Sequence, residues 1–136
     1  MSQQLLFDTS VWIDFLNRKN NATAELLKKN VEEDQPVFLT PTILQEILQG
    51  IRDDSKYQKI KESLSYFTVL QLPHVPAAIA AAQLFRTLRK KGATIRKSND
   101  CLIAHYAIEL KLTLVHLDAD FDQIAKHTKL AIWKPN

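Results

Sequence analysis

The chain has 136 residues, 46% of them hydrophobic and 24% charged, with a net charge of +3, which suits one domain with a core of its own. Two glycines argue against Gly-rich phosphate loops, and a single cysteine excludes an internal disulfide framework and fits a reducing cytoplasm. No apolar run approaches the roughly 18 residues of a membrane span, Met1-Ser2-Gln3-Gln4 does not resemble a secretory signal, and the modest charge does not by itself demand a nucleic-acid partner.

Leu5-Leu6-Phe7 is a short continuous apolar run, as expected of a strand buried on both faces of a parallel sheet. It ends at Asp8, where open α/β sheets place their ligand crevices. Thr9 or Ser10 can cap the helix that begins near Val11, leaving Asp8 without a capping duty. Asp8 is then either hydrogen-bonded to loop amides or a metal ligand or catalytic acid, since a carboxylate there is costly without compensation. A second helix covers 22–33 and is broken at Asp34-Gln35-Pro36. Val37-Phe38-Leu39 is a strand, and Thr40-Pro41 starts a helix over 41–50 with a capping hydroxyl and Pro in the first helical position. Ile43, Leu44, Ile47, Leu48 and Ile51 fall on one arc of about 140°. Glu46 lies about 60° outside it, either solvated or facing a crevice rimmed by the core.

A charged surface helix over 53–65 turns Tyr57, Ile60 and Leu64 inward, and a strand is predicted over 67–72. Pro73 and Pro76 bound the connection to an alanine-rich helix over 77–91, capped by Gly92. Arg86, Arg89, Lys90, Lys91, Arg96 and Lys97 follow one another with no intervening acid. They form either a solvated helix end or an electrostatic rim for a phosphate backbone. Ser98-Asn99-Asp100 opens an apolar helix in which Ser98 or Asn99 can cap, freeing Asp100 in a first turn that favours carboxylates. Cys101 beside it suits a small buried residue better than a nucleophile. A strand over 112–117 ends at Asp118-Ala119-Asp120. Asp120, with Gln123 three residues on, approximates a capping box, whereas Asp118 precedes that cap. Leu130-Ala131-Ile132-Trp133 is a last short strand.

Such alternation predicts a parallel sheet covered on both faces. Asp8 and Asp118 then share the carboxyl edge of the sheet, Asp100 stands at a helix start on that edge, and Glu46 lies one turn into another. Like charges so gathered imply a cation or raised pKa values. Oxygen-only donors select Mg²⁺ or Mn²⁺, and the 4 histidines lack zinc-site spacing. Carboxylate-held metal beside a basic rim is the chemistry of phosphodiester hydrolysis.

Together, the segment around Asp8-Thr9-Ser10, the Thr40-Pro41 helix with Glu46, Asn99-Asp100-Cys101-Leu102-Ile103-Ala104 and Leu117-Asp118-Ala119-Asp120-Phe121 resemble a PIN domain, more narrowly the VapC-type ribonuclease toxins of toxin–antitoxin pairs. The resemblance spans nearly the whole chain. It implies a single three-layer α/β/α domain over 1–136 with a mainly parallel sheet, acting in the cytoplasm as an Mg²⁺- or Mn²⁺-dependent endoribonuclease. It further implies a homodimer and an antitoxin partner that occludes the site. Asp8, Glu46, Asp100 and Asp118 match the family's catalytic, metal-binding acidic quartet. Asp120 is a substitute or outer member, and Ser10 matches a hydroxyl often kept beside the first Asp. Arg86, Arg89 and Arg96 fall where RNA contacts are implied. The chain departs at His116, where Thr or Asn is common two residues before the fourth acid. That His either bonds a ligand water or substrate, or packs. Two other classes compete. A phosphoryl-accepting regulatory domain needs a central-strand Asp and a late-strand Lys, whereas here the strand at 37–39 ends in Thr40 and the late strands hold no Lys. A non-catalytic PIN-fold module, binding nucleic acid or regulating, is weighed against by all four acids being present.

Overall fold

Leu5, Leu6 and Phe7 are all buried and form β1 (Leu5–Phe7), the middle strand of the sheet. The computed structural model describes residues 4–135, so the amino-terminal residues 1–3 considered above as a possible signal lie outside the described part. After β1 come α1 (Thr9–Leu16), α2 (Ala22–Glu32), β2 (Phe38–Leu39), α3 (Pro41–Gln49), α4 (Asp54–Leu64) and β3 (Thr68–Val69). The second half adds α5 (His74–Lys90), α6 (Ser98–Glu109), β4 (Thr113–Val115), α7 (Ala119–His127) and β5 (Ala131–Ile132). All strand pairs are parallel, in the order β3-β2-β1-β4-β5. The result is a three-layer α/β/α fold, as expected from the alternation of apolar runs and amphipathic segments. Among the described residues no helix is long and apolar enough to cross a membrane.

The order matters for the site. From β1 the chain steps outward through β2 to β3, then returns to place β4 on the other side of β1. The crevice beyond the carboxyl ends of β1 and β4 is therefore the topological switch point, where such sheets bind ligands. Register Phe7↔Val115 puts the ends of these two strands level.

The core joins both halves. Trp12 is fully buried and meets Phe15 and Phe67 edge-on, at 6.1 and 5.4 Å between ring centroids. Leu114, Val115, Ile103 and Phe121 are likewise fully buried, each contributing about 1.5–3 kcal/mol by removal from water. α6 buries Cys101, Ile103, Ala104, Tyr106 and Ala107, which accounts for the apolar run that follows its polar first turn.

Three helix starts differ from expectation. α1 begins at Thr9 because Asp8 itself is the cap, its side chain accepting from the Ser10 amide. Pro76 lies within the first turn of α5 rather than before it. A first-turn amide has no partner inside the helix, so Pro is tolerated there. α6 starts at Ser98 after Lys97, and neither Ser98 nor Asn99 acts as a side-chain cap. At the other end of α5, Gly92 has φ +81°, and the amides of Gly92 and Ala93 bond back to Arg89 and Leu88, a Schellman closure that favours glycine. The strands predicted over 67–72 and 112–117 are shorter, Thr68–Val69 and Thr113–Val115, since pairing lasts only where a neighbour runs alongside.

Candidate active site

The end of β1 is knitted to the end of β4. The Asp8 amide donates to the Val115 carbonyl at 2.9 Å, extending the ladder by one residue. The Asp8 carboxylate is buried, and its Oδ2 accepts from the Ser10 amide (3.2 Å) and the Ser10 hydroxyl (2.7 Å). The Ser10 hydroxyl accepts in turn from the Leu117 amide at 3.3 Å. One serine thus orients Asp8 and ties it to the loop that carries Asp118.

Glu46 is half-buried on α3, and its Oε1 accepts a 2.7 Å hydrogen bond from Thr9 Oγ1. Sequence reasoning considered Thr9 only as a cap and missed this contact. Its one signal was a hydroxyl directly after Asp8.

Asp100 sits in the first turn of α6, 4% exposed, and its Oδ2 has no hydrogen-bond partner among the described residues. Leaving a buried carboxylate oxygen bare is costly. Burial first, then the charges of Asp8 and Asp118, push its pKa up to about 7; Lys97 opposes and Glu46 adds to the rise. Asp8 is also raised, by burial and by Glu46, against the lowering effect of its Ser10 and Thr9 hydrogen bonds. Asp100 thus lies within the field of Asp8, Asp118 and Glu46, and Asp8 within that of Glu46.

At the end of β4 the capping duty expected of Asp120 falls to Asp118. Asp118, not Asp120, caps α7, its Oδ1 accepting from the Asp120 amide at 2.9 Å. Asp120 is buried in the first turn, and its Oδ2 accepts from the Arg96 amide (3.1 Å) and Arg96 Nε (3.3 Å). Arg96 Nη2 reaches Asp118 Oδ1 at 3.2 Å. The better-covered Asp120 takes two Arg96 donors, the amide and Nε, while the guanidinium is shared with Asp118 through Nη2. Arg96, expected in a rim for RNA, is thus engaged with the acids, though its side chain stays 69% exposed. Arg86 and Arg89 are exposed on α5, with the Arg89 guanidinium 5.8 Å from the centre of the Phe85 ring.

Oxygens of Asp100, Asp118 and Asp120 lie within 4.8 Å of one another. A bare buried carboxylate oxygen and an all-oxygen donor set fit a hard divalent cation. Cys101, buried beside Asp100, has its thiol pushed up to about 11 by burial and by that carboxylate, so it stays protonated and inert.

His116 is enclosed, its side chain 6% exposed. Burial lowers its pKa below the ordinary histidine value against the pull of Asp122. Its Nδ1 accepts from the Asp118 amide at 3.0 Å.

A family model described as PIN domain matches residues 5–127. The chain is similar to VapC ribonuclease Mb1587 of Mycobacterium bovis and to Ribonuclease VapC11 of Mycobacterium tuberculosis. Each is 35% identical over 127 residues, which cover 93% of this chain and 95% of the relative. In fold it resembles VapBC2 from Rickettsia felis, solved bound to a DNA fragment from its promoter, at a TM-score of 0.75 and 20% identity over 96% of this chain and 98% of that one. DNA-bound VapBC from Salmonella typhimurium gives 0.75 at 21% identity, over 97% and 98%. With most of its length matched by the family model and by relatives above 30% identity, the chain belongs to the PIN domain family.

Proposed function

We propose that this chain is a metal-dependent endoribonuclease that hydrolyses RNA phosphodiester bonds, the toxin of a toxin–antitoxin pair. The observation that carries the reading is Asp100, a buried carboxylate with a bare oxygen, within the field of Asp8, Asp118 and Glu46. Relatives named as VapC ribonucleases, and VapBC complexes of the same fold, support the substrate class and an antitoxin partner.

In this reading the chain acts as a single domain over 1–136, as a homodimer in the cytoplasm. Asp8, Glu46, Asp100 and Asp118 are the catalytic acids that hold Mg²⁺ or Mn²⁺, with Asp120 beside them. When bound, such an ion supplies Lewis-acid and water-activating chemistry at the phosphodiester. The chain's own residues do the positioning. Ser10 orients Asp8, Thr9 orients Glu46, and Arg96 offsets the charge of Asp118 and Asp120. Arg86 and Arg89, exposed on α5, supply a cationic approach for the RNA backbone.

The test is cleavage of a mixed structured-RNA pool by the purified chain, with and without Mg²⁺ or Mn²⁺, beside Asp8→Asn of unchanged circular dichroism. Cutting that requires the ion and vanishes in the variant is expected. Cutting that persists in saturating EDTA would overturn the metal-dependent mechanism.

A further inference from the structure

We propose, building on the reading of Asp118 as an ion ligand, that His116 is a positioning residue whose imidazole pins the main chain of Asp118 and so sets where that carboxylate stands.

As the cap of α7, Asp118 has an amide of its own that needs an acceptor. In a capping box the side chain three residues on provides it. Here that position is Phe121, which has no acceptor to offer. His116 fills the role from the other side: its Nδ1 accepts from the Asp118 amide at 3.0 Å. A side chain bonding the amide two residues on is the arrangement of an Asx turn, with imidazole nitrogen in place of a carboxamide oxygen.

The ring cannot swing away easily. Its Nε2 lies 3.3 Å from Asp122 Oδ1, and Lys134 Nζ lies 3.6 Å from that same oxygen. One face packs tilted on Phe121, with centroids 5.2 Å apart. Because Nδ1 is the acceptor, the ring proton belongs on Nε2, facing Asp122. Both nitrogens are thus committed to protein groups, which leaves neither for an ion, a ligand water or substrate. His116 follows β4 directly, so the pin is anchored at the end of a central strand. Groups that hold a metal ligand in place typically alter metal affinity about 10–100-fold when removed.

The two ring nitrogens can be separated by substitution in the full chain. The Oδ1 of His116→Asn stands near the Nδ1 position, whereas the amide of His116→Gln reaches the Nε2 position; His116→Leu keeps neither. The readouts are hydrogen exchange of the Asp118 amide by NMR, the Mn²⁺ dissociation constant by calorimetry, and Tm. His116→Asn is expected to keep the amide protected and Mn²⁺ affinity within about threefold, while the Gln and Leu variants lose protection and bind Mn²⁺ about tenfold more weakly. A similar fall of Tm in the Asn and Gln variants would separate positioning from packing. Equal Mn²⁺ affinity in all three variants, or rescue by Gln and not by Asn, would overturn the proposal. Wild-type protein that binds neither Mn²⁺ nor Mg²⁺ while its Asp118 amide stays protected would overturn the metal-dependent reading, and with it any role of His116 toward an ion, with the contact itself intact.

Discussion

Thr9 and Glu46 are joined by a 2.7 Å hydrogen bond from the threonine hydroxyl to the carboxylate, across 37 residues of sequence. The bond fastens the first residue of α1 to the acid on α3, next door to Asp8. Glu46 carries three rotatable side-chain torsions, so without this partner its carboxylate would sample many positions.

Removing the bond tests its worth. Thr9→Val keeps the shape and deletes the donor, and the cleavage rate is expected to fall roughly tenfold, the equivalent of about 1.4 kcal/mol for a hydrogen bond to a charged group. Thr9→Ser is expected to restore most of the rate. Single-turnover cleavage of one defined RNA measures both, and a Val variant as fast as its parent would show that Glu46 needs no anchor.

Asp100 makes stability depend on pH. Its carboxyl rises from an ordinary 3.8 to about 7 in the folded chain. Between those values the folded state keeps a proton that the unfolded chain has released, so this group's contribution to stability falls as pH rises from about 4 to about 7. His116, lowered by burial, contributes in the opposite direction, so the quantity to follow is the difference between variant and parent. In EDTA, Asp100→Asn is expected to gain on the parent across that window, reaching roughly 1–3 kcal/mol at pH 8. Saturating Mn²⁺ is expected to stabilise the parent above the variant. Thermal melts from pH 4 to 8 follow both effects, and a difference that does not change with pH would refute them.

Arg96 lays one cation across two acids, 3.2 Å from Asp118 and 3.3 Å from Asp120. Arg96→Gln uncovers them, so Mn²⁺ affinity at low salt is expected to rise a few-fold, with the gain shrinking as salt screens the exposed guanidinium of the parent. Calorimetry at two ionic strengths measures this. Weaker Mn²⁺ binding in the variant would instead make Arg96 a scaffold that holds the acids in shape.

Much of the architecture was legible in the chain itself. Leu5-Leu6-Phe7 and Leu114-Val115 are apolar without alternation because both faces of a central parallel strand are covered, and each run leads into the rim, the first directly at Asp8 and the second at Asp118, after His116 and Leu117. Thr40 caps α3 and Pro41 opens it as their types demand. That four acids approach one edge follows from the same periodicity, since in a parallel sheet helices begin where strands end.

The duties of individual oxygens were not legible. Asp8 against Thr9 or Ser10, and Asp118 against Asp120, are competitors for the same unpaired helix amides, and local sequence permits either choice. Burial decided between them: Asp120 turned inward to the Arg96 amide and guanidinium, which left the α7 cap to Asp118. The short extents of β3 and β4 depended on where a neighbouring strand runs alongside, a matter outside each segment. Nor could any local pattern join Thr9 to Glu46 or His116 to Asp122. Chain periodicity determines which faces are buried, because burial acts on every third, fourth or second residue. Pairing between distant polar atoms is decided only when packing brings them within about 3 Å and excludes the water that would otherwise satisfy each one.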